Sequence, residues 1–555
     1  MEMVISAFRS RIATSLVGAA FLLTGGSAFA QGAPPPGANP GIISSQTLNR
    51  QQEEVRAVPP VPPAPDAGPA VTAPARPPAP ATPASNLRFT LTSVTFGSSK
   101  FLSPEALQQA AAPYVGHEVG FADLDAIVHA VNALYDARGL VTARALLAPQ
   151  AISGGVVHID LIEGKIGKVQ IQGARHQSDN EVLGHVGLAT GNTIDVGALR
   201  HRLSLLNRTT DTQARLSLQP GEQFGLTDIQ LSLIEPRPNV LQLIGDNYGY
   251  DSAGRFEGAL YYRRTGLIGA SDRATGYFSG SAGALSGSLS YDAPILGPTS
   301  RLGASYGISR TNIVYGPFAV LKSQGVTQSW SVNYSQPLAS SEFGLLLGSL
   351  SAGISNTRNY VSNAYLGNSR THRIGAGLTY SYARPGISLD VTVNGLYANA
   401  PIGGRIPKAD FGVFSGTAAG EVLFGPHVGV RVSGGWQAAT VNGVSSDQLF
   451  QIGGATTVRG YRQGELTGDG GYFVNGELEM FPLQGRGSLT LFAFVDQGRV
   501  MSLAIQPKSL TAVGGGFTAG LAPHLSLRVT VGVPLMRIGE EPRVVQAFGR
   551  LGVSF

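Results

Sequence analysis

At 555 residues the chain has room for several domains, or for one very large one with accessories. Cysteine is absent, which removes disulfides, thiol catalysis, zinc–thiolate sites and a lipoprotein anchor together. The net charge of +5 comes from scattered basic residues with no dense cluster among aromatics, so it does not point to nucleic acid. Beyond the N-terminus no apolar run reaches the roughly 18 residues that a membrane-spanning helix needs, which argues against a helical membrane protein.

Residues 1–30 read as a secretory signal peptide. Arg9 and Arg11 precede a short apolar core, and Ala28-Phe29-Ala30 is a small-x-small cleavage site before Gln31. The mature chain is therefore expected to be exported. Residues 31–57 form an N-terminal segment in which 44–56 ("SSQTLNRQQEEVR") is polar, free of Gly and Pro, and rich in helix formers. Residues 58–86 are dominated by Pro and Ala, a composition that favours extended backbone and buries no core, hence a semi-rigid linker. A helix on such a tether can reach a distant site; a simple disordered tail reads equally well.

Residues 87–164 have a globular pattern. A strand at 88–96 leads to a helix start at Ser103-Pro104, a hydroxyl N-cap with proline at the first helical position. Leu124, Ile127, Val128, Val131, Leu134 and Tyr135 recur at helical spacing until Gly139, and strands follow at 141–147 and 156–162. This β-α-α-β-β order repeats in residues 165–237, with strands at 168–172, 213–218 and 228–235, helices at 179–186 and 196–206, and a Pro220-Gly221 turn. Both units are expected to expose strand edges, templates for an extended chain.

From residue 238 the helical pattern stops. Segments such as Leu525, Leu527, Val529, Val531 and Val533 alternate with Ser526, Arg528, Thr530 and Gly532, between turns rich in Gly, Asn, Ser and Pro. In an exported chain of this length, such alternation predicts aliphatic side chains toward lipid and polar ones toward a lumen, and only a closed barrel satisfies the backbone in a bilayer. At roughly 20 residues per strand with its connections, residues 238–555 give about 16 antiparallel strands. The terminal face of Val545, Ala547, Gly549, Leu551, Val553 and Phe555 agrees. The expected fold is an all-β transmembrane barrel preceded by two α+β units.

Several short motifs then gather. They are Tyr135-Asp136-Ala137-Arg138-Gly139-Leu140-Val141 and Pro220-Gly221-Glu222 in the small units, and Asp246-Asn247-Tyr248-Gly249 on the first barrel strand. They continue with Tyr291-x-x-Pro294 and Tyr334-x-x-Pro337, a glycine-rich loop with Val458-Arg459-Gly460-Tyr461 and then Gly468-Asp469, and Phe494-Val495-Asp496-Gln497-Gly498 on a late strand. Each alone is weak. In this order and spacing, over nearly all of the mature chain, the protein resembles the outer-membrane transporter of two-partner secretion (TpsB; the ShlB/FhaC/HecB-type haemolysin secretion/activation protein), with POTRA domains at 87–164 (ShlB type) and 165–237.

The resemblance implies a pore in the bacterial outer membrane. Its periplasmic POTRA domains would bind a secreted, β-helical TpsA-like partner by strand addition and pass it through the lumen to the cell surface. It also implies that segment 44–56 is a candidate plug of the resting pore, and that the tip Val458-Arg459-Gly460-Tyr461 folds into the lumen to meet Asp496 of the Phe494-x-Asp496-x-Gly498 motif. Strand parity agrees: with Leu489, Leu491, Ala493 and Val495 toward lipid, Asp496 faces inward beside Thr490, Phe492 and Phe494. A buried carboxylate there needs a partner, and arginine offers a bidentate one. Gly460 allows a tight tip and Tyr461 adds a packing face with a polar end. Whether the contact only anchors the loop or rearranges during transport stays open.

An alternative reading is an assembly factor that inserts barrel proteins into the membrane, against which stand only two POTRA units. Gly514-x-Gly516-x-x-Ala519 lacks the following helix of a dinucleotide site, and the segment 187–193 lacks the lysine of a phosphate loop. The nine histidines show no metal-ligand spacing. No enzyme activity, cofactor, metal, nucleotide or nucleic-acid partner is expected.

Overall fold

The computed structural model describes residues 36–57, 71–72 and 88–555, apart from short gaps at 141, 175–178, 224, 236, 270, 298, 402–407, 484–487, 503–504, 523 and 539–542. The signal peptide assigned to 1–30 and most of the linker assigned to 58–86 lie outside the described residues. Chain order begins with helix α1 (Pro40–Ala57), four residues longer at its start than its polar composition suggested, and a two-residue strand β1 (Val71–Thr72). The helix starts where the Asn39 side chain accepts the backbone N–H groups of Gly41 and Ile42.

The first small domain comprises β2 (Phe89–Thr90), β3 (Ser93–Phe96), α2 (Pro104–Ala111), β4 (Glu118–Val119), α3 (Phe121–Ala137), β5 (Ala143–Leu146) and β6 (Val156–Glu163). Ser103 caps α2 by accepting the Ala106 N–H at 3.3 Å. Leu124, Ile127, Val128, Val131 and Tyr135 form the buried face of α3, as their spacing dictates. The helix ends at Gly139, whose φ of +70° lets the Leu140 N–H close back on the Tyr135 carbonyl at 3.0 Å. Three strands lie in the order β3-β6-β5 beneath the two helices.

The second domain repeats the plan with β7 (Lys165–Gln172), α4 (Asp179–Val186), α5 (Val196–Thr209), β8 (Gln213–Pro220) and β9 (Leu226–Ile234). Asp195 caps α5 through the Ala198 N–H at 2.9 Å. Here the expectation of open strand edges needs correcting. The sheet order is β1-β8-β9-β7, because Val71 and Thr72 of the linker lie parallel to Leu216 and Ser217 and cover part of the β8 edge. A proline-rich segment supplies such a strand only over a short stretch without proline, which is what residues 70–73 offer.

The remaining chain closes into a barrel of 16 antiparallel strands. The first eleven are β10 (Asn239–Asp246), β11 (Glu257–Thr265), β12 (Arg273–Gly280), β13 (Ala284–Pro294), β14 (Arg301–Asn312), β15 (Ser323–Ser340), β16 (Gly344–Val361), β17 (Ala364–Arg384), β18 (Ile387–Pro401), β19 (Lys408–Phe424) and β20 (Val428–Ala439). Two short strands, β21 (Phe450–Ile452) and β22 (Leu466–Gly468), pair with each other inside a long excursion. Then come β23 (Gly470–Leu483), β24 (Leu489–Ser502), β25 (Ile505–Ala522), β26 (Leu525–Pro534) and β27 (Gln546–Ser554). The glycine-rich stretch 453–473 is thus not loop throughout, since its last residues belong to β22 and β23. Pro337, expected with Pro294 at a strand end, stands instead within β15 at a register shift, where a residue without an N–H leaves no gap in the ladder.

The wall alternates as a membrane barrel must. On β24, Leu491 and Val495 point out and are exposed, while Phe492, Phe494 and Asp496 point in and are buried. The seam joins β10 to β27, from Gln242 opposite Ser554 to Asp246 opposite Arg550.

Candidate functional site

The excursion between β20 and β23 does not stand out from the barrel. Its tip lies against the inner wall. Val458 is fully buried, Arg459 is 4% exposed, and Asp496 on β24 has no exposure at all. Asp496 Oδ2 accepts the backbone N–H of Arg459 at 2.9 Å and its Nε–H at 2.8 Å, and Oδ1 accepts from Nη2 at 2.7 Å. The remaining terminal nitrogen, Nη1, donates to Glu477 of β23. The guanidinium also lies 3.7 Å from the centre of the Phe494 ring. Fork geometry and ring stacking are both properties of arginine that lysine lacks.

Space for this contact comes from small residues. Gly460 has φ +117°, a backbone region that side-chain-bearing residues rarely enter. At Gly498 the backbone is ordinary, but a Cβ would sit 2.9 Å from Val458 Cγ2 and 3.1 Å from Ile452 Cδ1. Gly532 on β26 faces the tip from the other side, where a Cβ would lie 2.6 Å from the Gly460 nitrogen. The Tyr461 hydroxyl lies 2.9 Å from the Thr511 carbonyl and accepts the Met536 N–H at 3.0 Å. Val458, Tyr461, Ile452, Leu466, Val500, Leu510 and Ala512 form a small apolar core between loop and wall. Asp469 closes the base of the excursion by accepting the Gly443 and Val444 N–H groups and the Ser502 hydroxyl.

All seven motif residues named from the sequence (Val458, Arg459, Gly460, Tyr461, Phe494, Asp496 and Gly498) come together here. Glu477 and Gly532 are further members. Glu477 carries a weak signal in its inward parity on β23, which it shares with Glu479, but nothing in the sequence says which of the two meets the loop.

Helix α1 lies inside the same barrel. Ile43, Ser44 and Leu48 are almost wholly buried, as are Thr47 and Gln51. Ser44 Oγ is 2.7 Å from Thr327 Oγ1, and Gln51 bonds Ser279 at 2.8 Å and Ser286 at 3.0 Å. Arg50 donates to Glu257 at 2.6 Å and to the Tyr248 carbonyl at 2.9 Å, and Glu54 accepts from Tyr277 and Arg550. Ser45, Gln46 and Asn49 donate to carbonyls of Ser446, Leu449 and Asp447 on the excursion itself. Asp447 is anchored in turn on Thr371 and Arg373. The stretch after β10 links the two elements: the Tyr248 carbonyl accepts from Arg50 of α1, and the Tyr250 hydroxyl bonds Gln451 of the excursion at 2.7 Å.

Comparison with known proteins matches this architecture. A POTRA domain model of the ShlB type matches residues 89–164, and the haemolysin secretion/activation protein ShlB/FhaC/HecB model matches residues 225–522. The outer membrane transporter CdiB of Escherichia coli is 23% identical over 478 residues, covering 81% of this chain and 79% of its own. The heme/hemopexin transporter protein HuxB of Haemophilus influenzae is 23% identical over 481 residues, covering 81% and 84%. The solved structure of CdiB from Escherichia coli superposes with a TM-score of 0.69 at 19% identity, over 93% of this chain and 99% of that one. With the barrel, the paired small domains and the family match in agreement, the chain belongs to the ShlB/FhaC/HecB haemolysin secretion/activation family, outer-membrane pores that move a partner exoprotein to the cell surface by two-partner secretion.

Proposed function

We propose that the protein rests as a pore closed from within by two elements, α1 and the loop tip at Arg459, and that transport requires both to give way. The observation that carries this reading is the Arg459 side chain, buried at the end of a long loop with its donors on Asp496 and Glu477. A tip that served only as packing would need no desolvated ion pair, because an apolar contact of the same shape is usually as stable. An ion pair instead gives two discrete arrangements, made and broken. The polar face of α1 supports the same view, since it exchanges hydrogen bonds with the wall for hydrogen bonds with water when it leaves.

On this reading residues 87–164 and 165–237 are periplasmic POTRA domains that hold the partner as an added strand, and residues 238–555 are the conduit. The exposed aliphatic wall faces outer-membrane lipid. The partner is a long β-helical protein whose folding outside draws it through, which accounts for transport without a nucleotide.

The test is Arg459→Ala, assayed for partner in the medium and for barrel folding by heat-modifiable migration. Breaking a buried pair from one side costs about 3–5 kcal/mol locally. The expected result is a sharp fall in secretion from a folded barrel. Normal secretion by that variant overturns the role given to the loop.

A further inference from the structure

Where the second small domain meets the barrel, the corner between α5 and β8 pushes a carboxylate into the barrel mouth. Asp211 is 8% exposed and lies 3.6 Å from Arg273 of β12 and 4.0 Å from Arg263 of β11. These separations are ionic contacts without hydrogen bonds. Asp211 Oδ1 is buried with no hydrogen-bond partner, and so is the Nε of Arg263. Arg273 turns instead to Asp292 of β13 at 3.1 Å, which also takes Arg301 of β14.

These residues line a cavity of about 430 Å3 that reaches Gln52 and Val55 on the last turns of α1. Its lining carries four arginines, with Arg208 of α5 as the fourth, against the two carboxylates Asp211 and Asp292. Arg208 donates to the Glu342 carbonyl at 3.0 Å, and burial holds its guanidinium below its ordinary value. A buried cation surplus is costly unless an anion joins it. Nothing in the family motifs accounts for this arrangement.

We propose that this cavity receives the carboxylate of an aspartate or glutamate side chain of the extended partner as it enters the pore, and that Asp211 is the chain's own stand-in at rest. The proposal rests on the reading that the partner enters beside the second small domain. Room, surplus positive charge and unmade hydrogen bonds on both Asp211 and Arg263 are what an exchangeable carboxylate site requires. A second carboxylate reaching Arg263 takes up the Nε donor that Asp211 leaves open, and Arg301 beside it adds positive charge. It also competes with Asp211, the ionic contact between α5–β8 and strands β11 and β12, and so loosens that domain next to α1.

The test uses the full chain in lipid nanodiscs and a fluorescent peptide of alternating Glu and Ser, with a Gln and Ser peptide as control. The Glu peptide is expected to bind about tenfold or more tightly than the control, and Arg263→Gln with Arg301→Gln to erase that difference. Asp211→Asn is expected to act in the opposite direction and strengthen binding of the Glu peptide several-fold. This variant keeps the test sound if the double arginine variant does not fold. Equal binding of the two peptides, or weaker or unchanged binding by Asp211→Asn, overturns the proposal. Partner secretion by the wild type is measured separately, so failure of the transport reading and failure of this site are told apart.

Discussion

At the scale of single residues, the loop contact divides its energy unevenly. Asp496 takes three donors from Arg459, and Glu477 takes one while also lying 3.6 Å from Arg528. Glu477→Gln should therefore weaken secretion less than Asp496→Asn, which a side-by-side secretion assay checks. Gly498→Val tests space rather than charge. Its first side-chain atom would lie 2.9 Å from Val458, so the tip is expected to be displaced and channel conductance in planar bilayers to rise, with the barrel still folded. Asp496 was legible from strand parity and Arg459 from the motif, because period-2 alternation says which side chains face inward. Glu477 and Gly532 were not, since parity gives a face and not a height. A separate residue governs pH behaviour in the first small domain. Burial pushes the Tyr135 phenol up to about 12, with Glu163 beside it at 3.2 Å. The folded domain thus keeps this proton after the unfolded chain has lost it near pH 10. Stability falls on the order of 2–3 kcal/mol as pH rises from about 10 to 12. Thermal melting of Tyr135→Phe should show a flatter decline over that range than wild type.

At the scale of elements, α1 is the informative case. Its sequence reads as a helix that can form, yet nothing local says where it goes, because a polar helix has no apolar face to bury. Its destination depends on hydroxyls supplied by β12, β13 and β15, hundreds of residues away. Ser44→Cys with Thr327→Cys places two thiols where the native hydroxyls are 2.7 Å apart, in a chain with no other cysteine. Oxidation should then block secretion and reductant restore it; secretion that persists with the crosslink formed means that α1 does not have to move. The short strand β1 shows the opposite limit. Four residues between prolines carry no sequence signal, and the pairing of the middle two with β8 exists only because that edge is there to receive them.

At the scale of the whole molecule, the barrel was the most legible feature. Chain length, export and sustained alternation leave few other ways to satisfy the backbone. The count of 16 followed from segment length alone, while the turns and bulges that set register did not. Closure rests on the last strand, where β27 pairs β10 along one edge and β26 along the other, and the backbones of Phe555 and Leu241 exchange hydrogen bonds. Deleting residues 546–555 leaves two strand edges open in hydrocarbon, at several kcal/mol for each unpaired group. Loss of heat-modifiable migration is the expected outcome, and a folded band from the truncated chain refutes it.

If α1 leaves the pore during transport, as proposed, its polar character decides how it behaves once out. A stopper greased with leucines would stick, either to its socket or, once out, to the nearest membrane or unfolded protein. This one buries Ser44, Ser45, Thr47 and Gln51 as well as Ile43 and Leu48, in a socket where hydroxyls and charges stand beside a small apolar cluster of Tyr250, Ala253 and Ile313. Each hydrogen bond it gives up returns as one to water, at a net cost of about 0.5–1.5 kcal/mol. The vacated wall and the freed helix would then each present little apolar surface beyond Ile43, Leu48 and the cluster around Tyr250. On the proposed reading such a closure is reusable: a segment that comes out wet can re-enter after each passage, cycle after cycle.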